Sequence, residues 1–405
     1  MEEWNSDILI NLLDTLIDYR GKTPKKTSSG VPLVTAKIIK GGSILPFEEF
    51  IAENDYDSWM VRGLPQPGDV VLTTEAPLGE VAQLDNTKVA LAQRVVTLRG
   101  KKGILDNTYL KYYLQSDIGQ KRLTARETGT TVTGIKQSEL RRVEISYPDF
   151  ETQCRIASIL KSLDDKIALN NRINHNLEEQ AKALYKSWFV DFEPFKDGQV
   201  VDSELGMIPE GWRVGTLSEL GDIVAGGTPS KTKPEYYTNN GIAWLTPKDL
   251  SVKCYKFTAR GEIDITEDGY KNSSAKLMPR GSVLFSSRAP IGYISIAKGD
   301  ICTNQGFKSV VPKYAGTAYL YYWLCENTEA IEAQASGSTF KEASGSLMRS
   351  FPALVPEKSV IDSFEKELSP ILNEQEILEE EINYAEQIRD SLLPRLMSGE
   401  LVMNC

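Results

Sequence analysis

The sequence predicts two mixed α/β (α+β) domains separated by two long helices that pair as an antiparallel coiled coil. Two observations support this prediction: residues 1–150 are repeated at 206–356, and each copy is followed by a long apolar heptad pattern. About 150 residues is an ordinary size for a domain with one hydrophobic core. The order domain, helix, domain, helix therefore predicts a pseudo-two-fold internal repeat, with the domains at opposite ends of the helix pair.

Short motifs occur in the same order in the two copies, which is the sequence signature of an internal duplication. The matched pairs are Gly21–Pro24 with Gly226–Pro229, Thr73–Pro77 with Ser286–Pro290, and Thr128–Thr131 with Ser336–Thr339.

Each copy mixes strand and helix patterns. Runs rich in β-branched and aromatic residues, bounded by Gly and Pro, predict strands. In the first copy the predicted strands are 34–39, 69–74, 79–84, 88–98 and 143–147, and a helix is predicted at 106–125. In the second copy they are 283–286, 291–297 and 308–311, with a helix at 316–335.

The stretch 151–195 places apolar residues in alternating steps of three and four, which is the seam of a coiled coil. A helix of about forty residues spans roughly 60 Å and needs a partner to cover its seam. The stretch 357–405 has the same alternation and is the predicted partner. The predicted residues of the seam and of partner docking are Leu163, Ile167, Asn170, Asn174, Leu177, Ile371, Gln375, Leu378 and Ile382.

Polar residues interrupt both seams near the middle, at Asn170, Asn174 and Gln375. Two interpretations stay open: these residues fix the register of the helix pair at a cost in stability, or they are solvated where the seam widens. Pro370 predicts a kink in the first turns of the second helix, or a later start.

These patterns divide the chain into five segments. They are a first domain at 1–150, a central helix at 151–195, a turn-rich linker at 196–212, a second domain at 213–356 and a C-terminal helix at 357–405.

The composition bounds the classes of function. Five scattered cysteines without a Cys-x-x-Cys pair predict a reducing, cytoplasmic environment and no structural zinc. The one histidine, His175, lies in a helical segment among asparagines, so we expect no histidine-based triad and no metal site. We expect no membrane span, because no apolar run approaches 18 residues.

The net charge of −10 argues at first sight against nucleic acid as a partner. The acidic excess, however, lies mainly in the C-terminal segment, and the two large domains are nearly neutral. Contact with nucleic acid needs a local basic face rather than a basic chain. The charge therefore leaves DNA binding by the domains open.

Three sets of short polar loops recur at matching places in the two copies. Hydroxyls, lysines and free amides contact phosphates, whereas Arg, Glu, Asn and Gln read base edges. Ordinary solvated turns have the same composition, but recurrence in both copies favours DNA contact. The first copy's candidates are Lys22, Lys25, Lys26, Lys37, Thr73, Thr74, Glu75, Thr130 and Thr131. The second copy's are Thr228, Ser230, Lys231, Lys233, Lys248, Ser286, Ser287, Arg288, Ser338, Thr339 and Lys341.

Two further observations concern individual side chains in these loops. Glu75 and Arg288 occupy matching positions with opposite charge, so they could read different bases, or each could be a local ion pair or turn residue. Gln93 and the pair Asn304–Gln305 are weaker candidates for base contact, because either could be a buried structural amide.

Several motifs in this order carry a resemblance to a known family. They are Leu184–Phe189, Ile208–Trp212, Gly226–Pro229, Ser286–Pro290 and Leu393–Leu401. With the two-copy layout, they resemble the specificity subunit of type I restriction–modification systems over nearly the whole chain. One departure is that the first copy lacks the Ile-Pro-Glu-Gly-Trp entry and keeps only Trp4.

This resemblance implies a DNA-binding, non-catalytic subunit with two target-recognition domains, each reading half of a bipartite site in double-stranded DNA. It implies that the two helices space the domains and dock partner subunits. The partners would be two modification subunits, which methylate adenine with S-adenosylmethionine, and ATP-driven, Mg²⁺-dependent restriction subunits. No cofactor is expected in this chain itself.

Two other classes of protein compete with this interpretation. A nuclease or methyltransferase with duplicated domains would need a glycine-rich cofactor motif or an acidic metal cluster, and we find neither in the sequence. A purely structural coiled-coil scaffold does not explain why two domains repeat their polar loops.

Overall fold

The computed structural model describes residues 4–85, 88–129, 133–252, 255–337 and 341–401. The chain forms two compact units. The first unit contains the chain up to Ala168 and again from Asn383 onward, and the second contains Leu169–Ile382. Each unit therefore takes one globular domain and part of each long helix, whereas the sequence pattern separated helices from domains.

The first unit is built around a four-stranded antiparallel sheet. Its strands, in spatial order, are Leu13–Asp18, Val95–Gly100, Val70–Thr74 and Leu78–Gln83. A second sheet has the order Ala90–Leu91, Val31–Val34, Phe50–Ile51 and Lys26–Thr27, and two further pairs join Asn5–Ile8 with Glu144–Tyr147 and Ile39–Lys40 with Ser43–Ile44. The short helices are Leu9–Leu12, Glu53–Asp55, Tyr56–Trp59, Asn107–Gln115, Asp117–Thr124 and Gln137–Leu140.

The second unit repeats this plan with one additional sheet strand. Its sheet has the order Gly221–Ala225, Lys308–Pro312, Val283–Ser287, Ile291–Ala297 and Phe257–Thr258. The other strands pair as Arg213–Thr216 with Pro352–Val355, Trp244–Leu245 with Cys302–Thr303, Tyr237–Thr238 with Asp264–Ile265, and Val200–Val201 with Ile208–Pro209. The short helices are Glu193–Phe195, Leu217–Leu220, Pro234–Tyr236, Pro247–Val252, Glu267–Lys271, Thr317–Gln334 and Gly345–Ser350.

The predicted elements are found, with three differences in the first copy. The predicted strand 34–39 does not form, since Val34 ends strand Val31–Val34 and Ile39 begins strand Ile39–Lys40, and 88–98 is two strands rather than one. The predicted helix 106–125 is two helices, because Ser116 has an extended backbone and its hydroxyl accepts the amide of Gly119 as an N-cap. A helix break of this kind depends on local capping, which the hydrophobic periodicity of the sequence does not reveal.

The backbone of the repeat is duplicated in detail. Ala76 and Ala289 both have φ near +50°, at 50° and 52°, and both precede a cis proline. Non-glycine residues seldom adopt positive φ, so its recurrence at matched positions shows that the two copies share one turn conformation.

The two long helices are Phe150–Phe189 and Lys358–Met397, each of 40 residues. We call them the central helix and the C-terminal helix. In the first unit, Ile156 and Leu160 near the start of the central helix share a core with Leu396 near the end of the C-terminal helix. In the second unit, Tyr185 and Phe364 pack at the opposite pair of ends, so the helices are antiparallel within each unit.

The predicted heptad seam is partly buried along both helices. Asn170, Gln375, Leu378 and Ile382 are buried, and Leu163, Ile167, Asn174, Leu177 and Ile371 are half-buried. The four buried side chains are not free to dock a partner, which corrects the prediction for them. Docking by the five half-buried residues stays a prediction.

Two of the three polar seam residues are not solvated, and the third, Asn174, is half-buried. Asn170 and Gln375 are each 1% exposed. Asn170 donates to Glu381 across the helix pair at 2.8 Å, and Gln375 donates to Glu178 at 3.1 Å. Their burial and cross-helix bonds favour the register interpretation, because a shift of the seam would break these bonds. Pro370 does not delay the C-terminal helix, which starts at Lys358.

Polar clusters join each domain to its helices. In the first unit, Asp164 of the central helix accepts from Lys111 at 3.0 Å, from the Tyr112 hydroxyl at 2.6 Å and from Arg389 at 3.1 Å. In the second unit, Lys256 donates to Glu178 at 2.6 Å and to Gln375 at 2.8 Å. These bonds are directional, so they hold each domain in one orientation on its part of the helices.

The start of each domain packs at the end of a long helix. Trp212 lies 4.9 Å from the Phe195 ring, just beyond the central helix. Trp4 packs on the core that contains Leu396 and Met397, near the end of the C-terminal helix. Each tryptophan directly precedes a strand that pairs with the last strand of its own domain. Trp4 therefore takes the place of Trp212 although the rest of the entry motif is absent.

We predict that Asp164→Asn makes the first unit less stable at neutral pH but not in acid. Burial opposes the charged form of Asp164, yet Lys111, Tyr112 and Arg389 lower its pKa below the ordinary value. A carboxyl with a lowered folded-state pKa stabilises the fold above its unfolded pKa of about 3.9, and this stabilisation is lost as pH falls through the folded-state pKa. At pH 7 the loss should be roughly 1–3 kcal/mol, as for a hydrogen bond to a charged group.

The measurement is urea unfolding of the wild type and the variant between pH 7 and pH 3. Asp165→Asn on the exposed side of the same helix is the matched control. A stability difference that stays constant down to pH 3 would contradict the ionic role of Asp164.

Candidate nucleic-acid interface

Four loops of the first unit converge at one end of its sheet. We call them loop cluster 1: residues 20–26, 73–77, 92–95 and the described part of 128–135. The amide of Ile135 donates to Thr74 at 2.9 Å, and that of Thr74 donates to the Arg94 carbonyl at 2.9 Å. The Arg20 guanidinium donates to the Ile135 carbonyl at 2.8 Å. Backbone bonds and the Arg20 side chain therefore hold these loops side by side.

The second unit has a matching loop cluster 2: residues 226–233, 286–290, 303–307 and the described part of 336–343. The amide of Ala343 donates to Ser287 at 2.9 Å, and that of Ser287 donates to the Gly306 carbonyl at 2.7 Å. These two bonds are the counterparts of the two backbone bonds that link the loops of cluster 1. The same loops thus meet in the same way in both copies.

Exposed cations line both clusters. Lys22 and Lys25 in cluster 1, and Lys231 and Lys341 in cluster 2, are exposed and make no ion pair among the described residues. Lys26 pairs with Glu49 at 2.8 Å, and Lys233 donates to the Tyr236 hydroxyl at 3.0 Å.

The remaining predicted contacts of this kind lie at or near the same loops. Ser230 is exposed in cluster 2, where its hydroxyl is 2.8 Å from that of Thr232. Lys248 is exposed and pairs with Glu262 at 3.1 Å, and Lys37 is exposed in the turn after strand Val31–Val34. Thr130, Thr131, Ser338 and Thr339 lie outside the described residues.

The hydroxyls predicted to touch DNA at the second loop are instead buried supports. Thr73, Thr74, Ser286 and Ser287 are at most 2% exposed. The Ser286 hydroxyl accepts the amide of Tyr293 at 2.7 Å and donates to the Pro290 carbonyl at 2.9 Å. Thr73 accepts the amide of Glu80 at 2.9 Å in the same way. These positions favour a role in shaping the loop, since a buried hydroxyl with its bonds filled cannot reach DNA.

Glu75 and Arg288 are each in a local ion pair in the unbound protein. Glu75 lies 2.8 Å from Arg94, and Arg288 lies 3.7 Å from Glu342. All four side chains are between 36% and 47% exposed. Exposed ion pairs contribute only about 0–1 kcal/mol, so these pairs can open when a stronger contact is offered.

A threonine–glutamine pair occurs at the same place in both clusters. The Thr23 hydroxyl donates to the Gln93 side-chain oxygen at 3.1 Å, and the Thr228 hydroxyl donates to that of Gln305. The sequence pattern predicts Gln93 and Gln305 only as weaker candidates and does not predict Thr23 as a site residue. The alignment of the two copies was the available signal, because both partners repeat at matching positions.

A cavity of about 630 Å³ opens beside loop cluster 2. Its lining includes Thr228, Lys231, Trp244, Lys248, Arg288 and Gln305. Four of the second copy's predicted contacts therefore line one concave surface. The same surface includes the aromatic ring of Trp244 and the side-chain amide of Gln305.

Within the described residues, no cluster of His, Cys, Asp and Glu could hold a metal ion. In that same part of the chain, no helix is long and apolar enough to cross a membrane.

The chain matches the sequence profile of the family "Type I restriction modification DNA specificity domain" at residues 22–179 and again at 209–385. It is 38% identical over 188 residues to the Type I restriction enzyme MjaIX specificity subunit of Methanocaldococcus jannaschii. That match covers 44% of this chain and 43% of the relative, so it spans less than half of each protein. The two profile matches coincide with the two copies of the internal repeat.

Two further similarities extend over more of the chain. It is 27% identical over 341 residues to the Type I restriction enzyme HindI specificity subunit of Haemophilus influenzae, covering 69% of this chain and 74% of the relative. The crystal structure of a type I restriction–modification S subunit from M. genitalium superposes with a TM-score of 0.67 at 17% identity, covering 98% of this chain and 96% of that one. The predicted fold class is thereby confirmed.

We predict that Ser286→Ala destabilises the second unit by about 1–3 kcal/mol, because it removes a buried hydroxyl and leaves the part-buried amide of Tyr293 without its acceptor. Thr73→Val should do the same in the first unit, where the amide of Glu80 loses its acceptor. Chemical denaturation measures both effects. Ser230→Ala, an exposed serine of cluster 2, is the control and should stay within about 0.5 kcal/mol of wild type. Equal effects of Ser286→Ala and Ser230→Ala would refute the supporting role.

Proposed function

Because the chain belongs to the family of type I restriction–modification DNA specificity subunits, we propose that it binds double-stranded DNA at a bipartite sequence, with one half-site read by each domain. Loop cluster 1 reads one half-site and loop cluster 2 reads the other. The chain is a recognition subunit and leaves the chemistry to its partners.

The observation that carries this proposal is the duplication of the loop clusters. The two clusters share their connecting backbone bonds, their turn conformation at Ala76 and Ala289, and a threonine–glutamine pair. They differ at Glu75 and Arg288, which are exposed at the matched position. Two domains that recognise different DNA sequences need the same loop backbone with different exposed side chains.

The energies at this position are compatible with base reading. Opening an exposed ion pair costs about 0–1 kcal/mol, whereas a good bidentate contact to a base discriminates by roughly 1–3 kcal/mol. Arg288 suits guanine, and Glu75 suits the amino group of cytosine. Exposed lysines such as Lys22 and Lys231 would contact phosphates, so that affinity falls as salt rises.

We assign the catalytic steps to partner subunits. Two modification subunits would methylate the site with S-adenosylmethionine, and restriction subunits would use ATP and Mg²⁺ in the cytoplasm. Docking would use outward apolar side chains of the helices, because these are more exposed than the seam residues. Ile159 and Leu169 of the central helix, and Ile377 and Tyr384 of the C-terminal helix, are 37–67% exposed.

The long helices are the natural element to set the distance between the half-sites. Both are continuous over 40 residues and both contribute to each compact unit. A straight helix of that length spans roughly 60 Å. The buried bonds of Asn170 and Gln375 would keep the two helices in one register and hence the spacer at one length.

The first test is exchange of residues 1–150 for the first domain of another family member, assembled with the same partner subunits. We expect one half-site of the methylated sequence to change and the other to remain, because each loop cluster lies within one unit. Sequencing of methylated DNA provides the measurement, and exchange of 213–356 is the mirror-image control. A simultaneous change of both half-sites after either exchange would refute the assignment.

The second test lengthens the helix pair by one heptad in each helix, after Ala168 and after Ile382. These points face each other, because Asn170 bonds to Glu381. Seven residues add about 10 Å, which corresponds to at most roughly 3 base pairs of DNA. We expect every site that is still methylated to keep both half-sites and to have a longer spacer.

The heptad keeps the seam on the same face to within about 20°, so the helices can still pair. Insertion in the central helix alone is the control, because it leaves the partner seam unmatched and should lower stability. Full activity with the original spacer in the doubly lengthened protein would show that the helices do not set the distance.

A further inference from the structure

The threonine–glutamine pairs are held by the backbone of both loop clusters. In cluster 2, a side chain at Gly226 would come within 1.9 Å of the Asn304 carbonyl. The glycine thus lets the loop of Thr228 lie directly on the loop of Gln305. In cluster 1, Gly21 has a φ of +81°, a conformation that glycine adopts at no steric cost.

Both threonines are followed by a buried proline, Pro24 or Pro229. The residue before proline is restricted to extended conformations, so the threonine backbone has little freedom. Its hydroxyl is therefore presented to the glutamine from a rigid loop.

The glutamine loops are also rigid and equivalent. The amide of Asn304 donates to Leu245 at 2.9 Å, and that of Ala92 donates to Val34 at 3.0 Å. In cluster 2 the Asn304 side chain additionally accepts the amide of Gly306 at 2.8 Å. Gln305 is exposed and Gln93 is half-buried. Neither is therefore a buried structural amide, which was the alternative interpretation of these residues.

The chemistry of a fixed amide suits one base. When the threonine donates to the glutamine oxygen, that oxygen keeps a second lone pair and the nitrogen keeps its donors. Adenine presents an acceptor and a donor in the major groove, and Gln pairs with both. Glu75 and Arg288 differ between the clusters, whereas this pair does not.

We infer that Gln93 and Gln305 read an adenine at equivalent positions of the two half-sites, and that Thr23 and Thr228 are positioning residues that orient their amides. This inference rests on the proposed function and adds to it the base that both domains have in common. The two half-sites thus share one A·T pair and differ at the base pairs read by Glu75 and Arg288.

The experiment uses the complete chain assembled with its modification subunits. Methylation of a DNA library is measured, with each base pair of the half-sites varied singly. We expect Gln305→Ala to reduce discrimination at one A·T pair of the second half-site by about 5- to 150-fold. Gln93→Ala should do so at the matching pair of the first half-site, and each variant should leave the other half-site unchanged.

Thr228→Val keeps the shape of the threonine and removes its hydroxyl. We expect a smaller loss of discrimination at the same A·T pair as Gln305→Ala and at no other. Gln199→Ala, an exposed glutamine of the linker, is the matched control and should change no base preference. Thermal unfolding of each variant confirms that the domain still folds.

Three results separate the inference from the proposed function. In the first, the wild type recognises two specific half-sites, but the glutamine variants weaken methylation of all sequences equally. This result would overturn the inference and leave the proposed function standing. Loss of discrimination at a pair other than A·T would also overturn it. Wild type that shows no bipartite preference, or whose site is unaltered by domain exchange, would overturn the proposed function itself.

Discussion

The structure depends on the mutual covering of two apolar seams. Neither 40-residue helix can bury its seam alone, so each uses the other, and the antiparallel arrangement follows within each compact unit. Because the start of one helix meets the end of the other, every unit needs chain from both halves of the sequence. Part of each helix therefore belongs to each compact unit.

Buried polar bonds make this arrangement specific. Apolar seams tolerate a shift of one heptad, but the bonds of Asn170 to Glu381 and of Gln375 to Glu178 do not. Lys256 of the second domain donates to Gln375 and so joins its domain to the helices. In the first unit, the bond from Lys111 of the domain to Asp164 of the central helix has the same role. Burying charge costs stability unless each partner is satisfied, and here the acids and bases satisfy one another.

In the proposed function, the duplicated loop clusters would let one fold read different sequences. Buried hydroxyls, tight glycines and backbone bonds carry the shape of the loops, and they recur in both copies. Exposed side chains would carry the contacts to DNA and are free to differ, as Glu75 and Arg288 do. A change of contact residue therefore leaves the frame intact. The substitutions with the largest effect on stability and those with the largest effect on specificity should fall on different residues.

The sequence by itself determined the duplication, the two domains, the two long helices and their antiparallel pairing. These follow from periodicity and from repeated motifs, which are linear properties of the chain. Burial and long-range contact were decided only by the tertiary structure. Ser286 and Arg288 lie in the same short motif, yet Ser286 is within the buried strand Val283–Ser287, whereas Arg288 lies just beyond its end and is 36% exposed. Lys256 and Asp164 look like surface charges in the sequence, because their partners Gln375 and Lys111 lie far away along the chain. The distinction between a residue that shapes a loop and one that can touch DNA is therefore a property of the folded chain, since it depends on which neighbours fill the hydrogen bonds of each side chain.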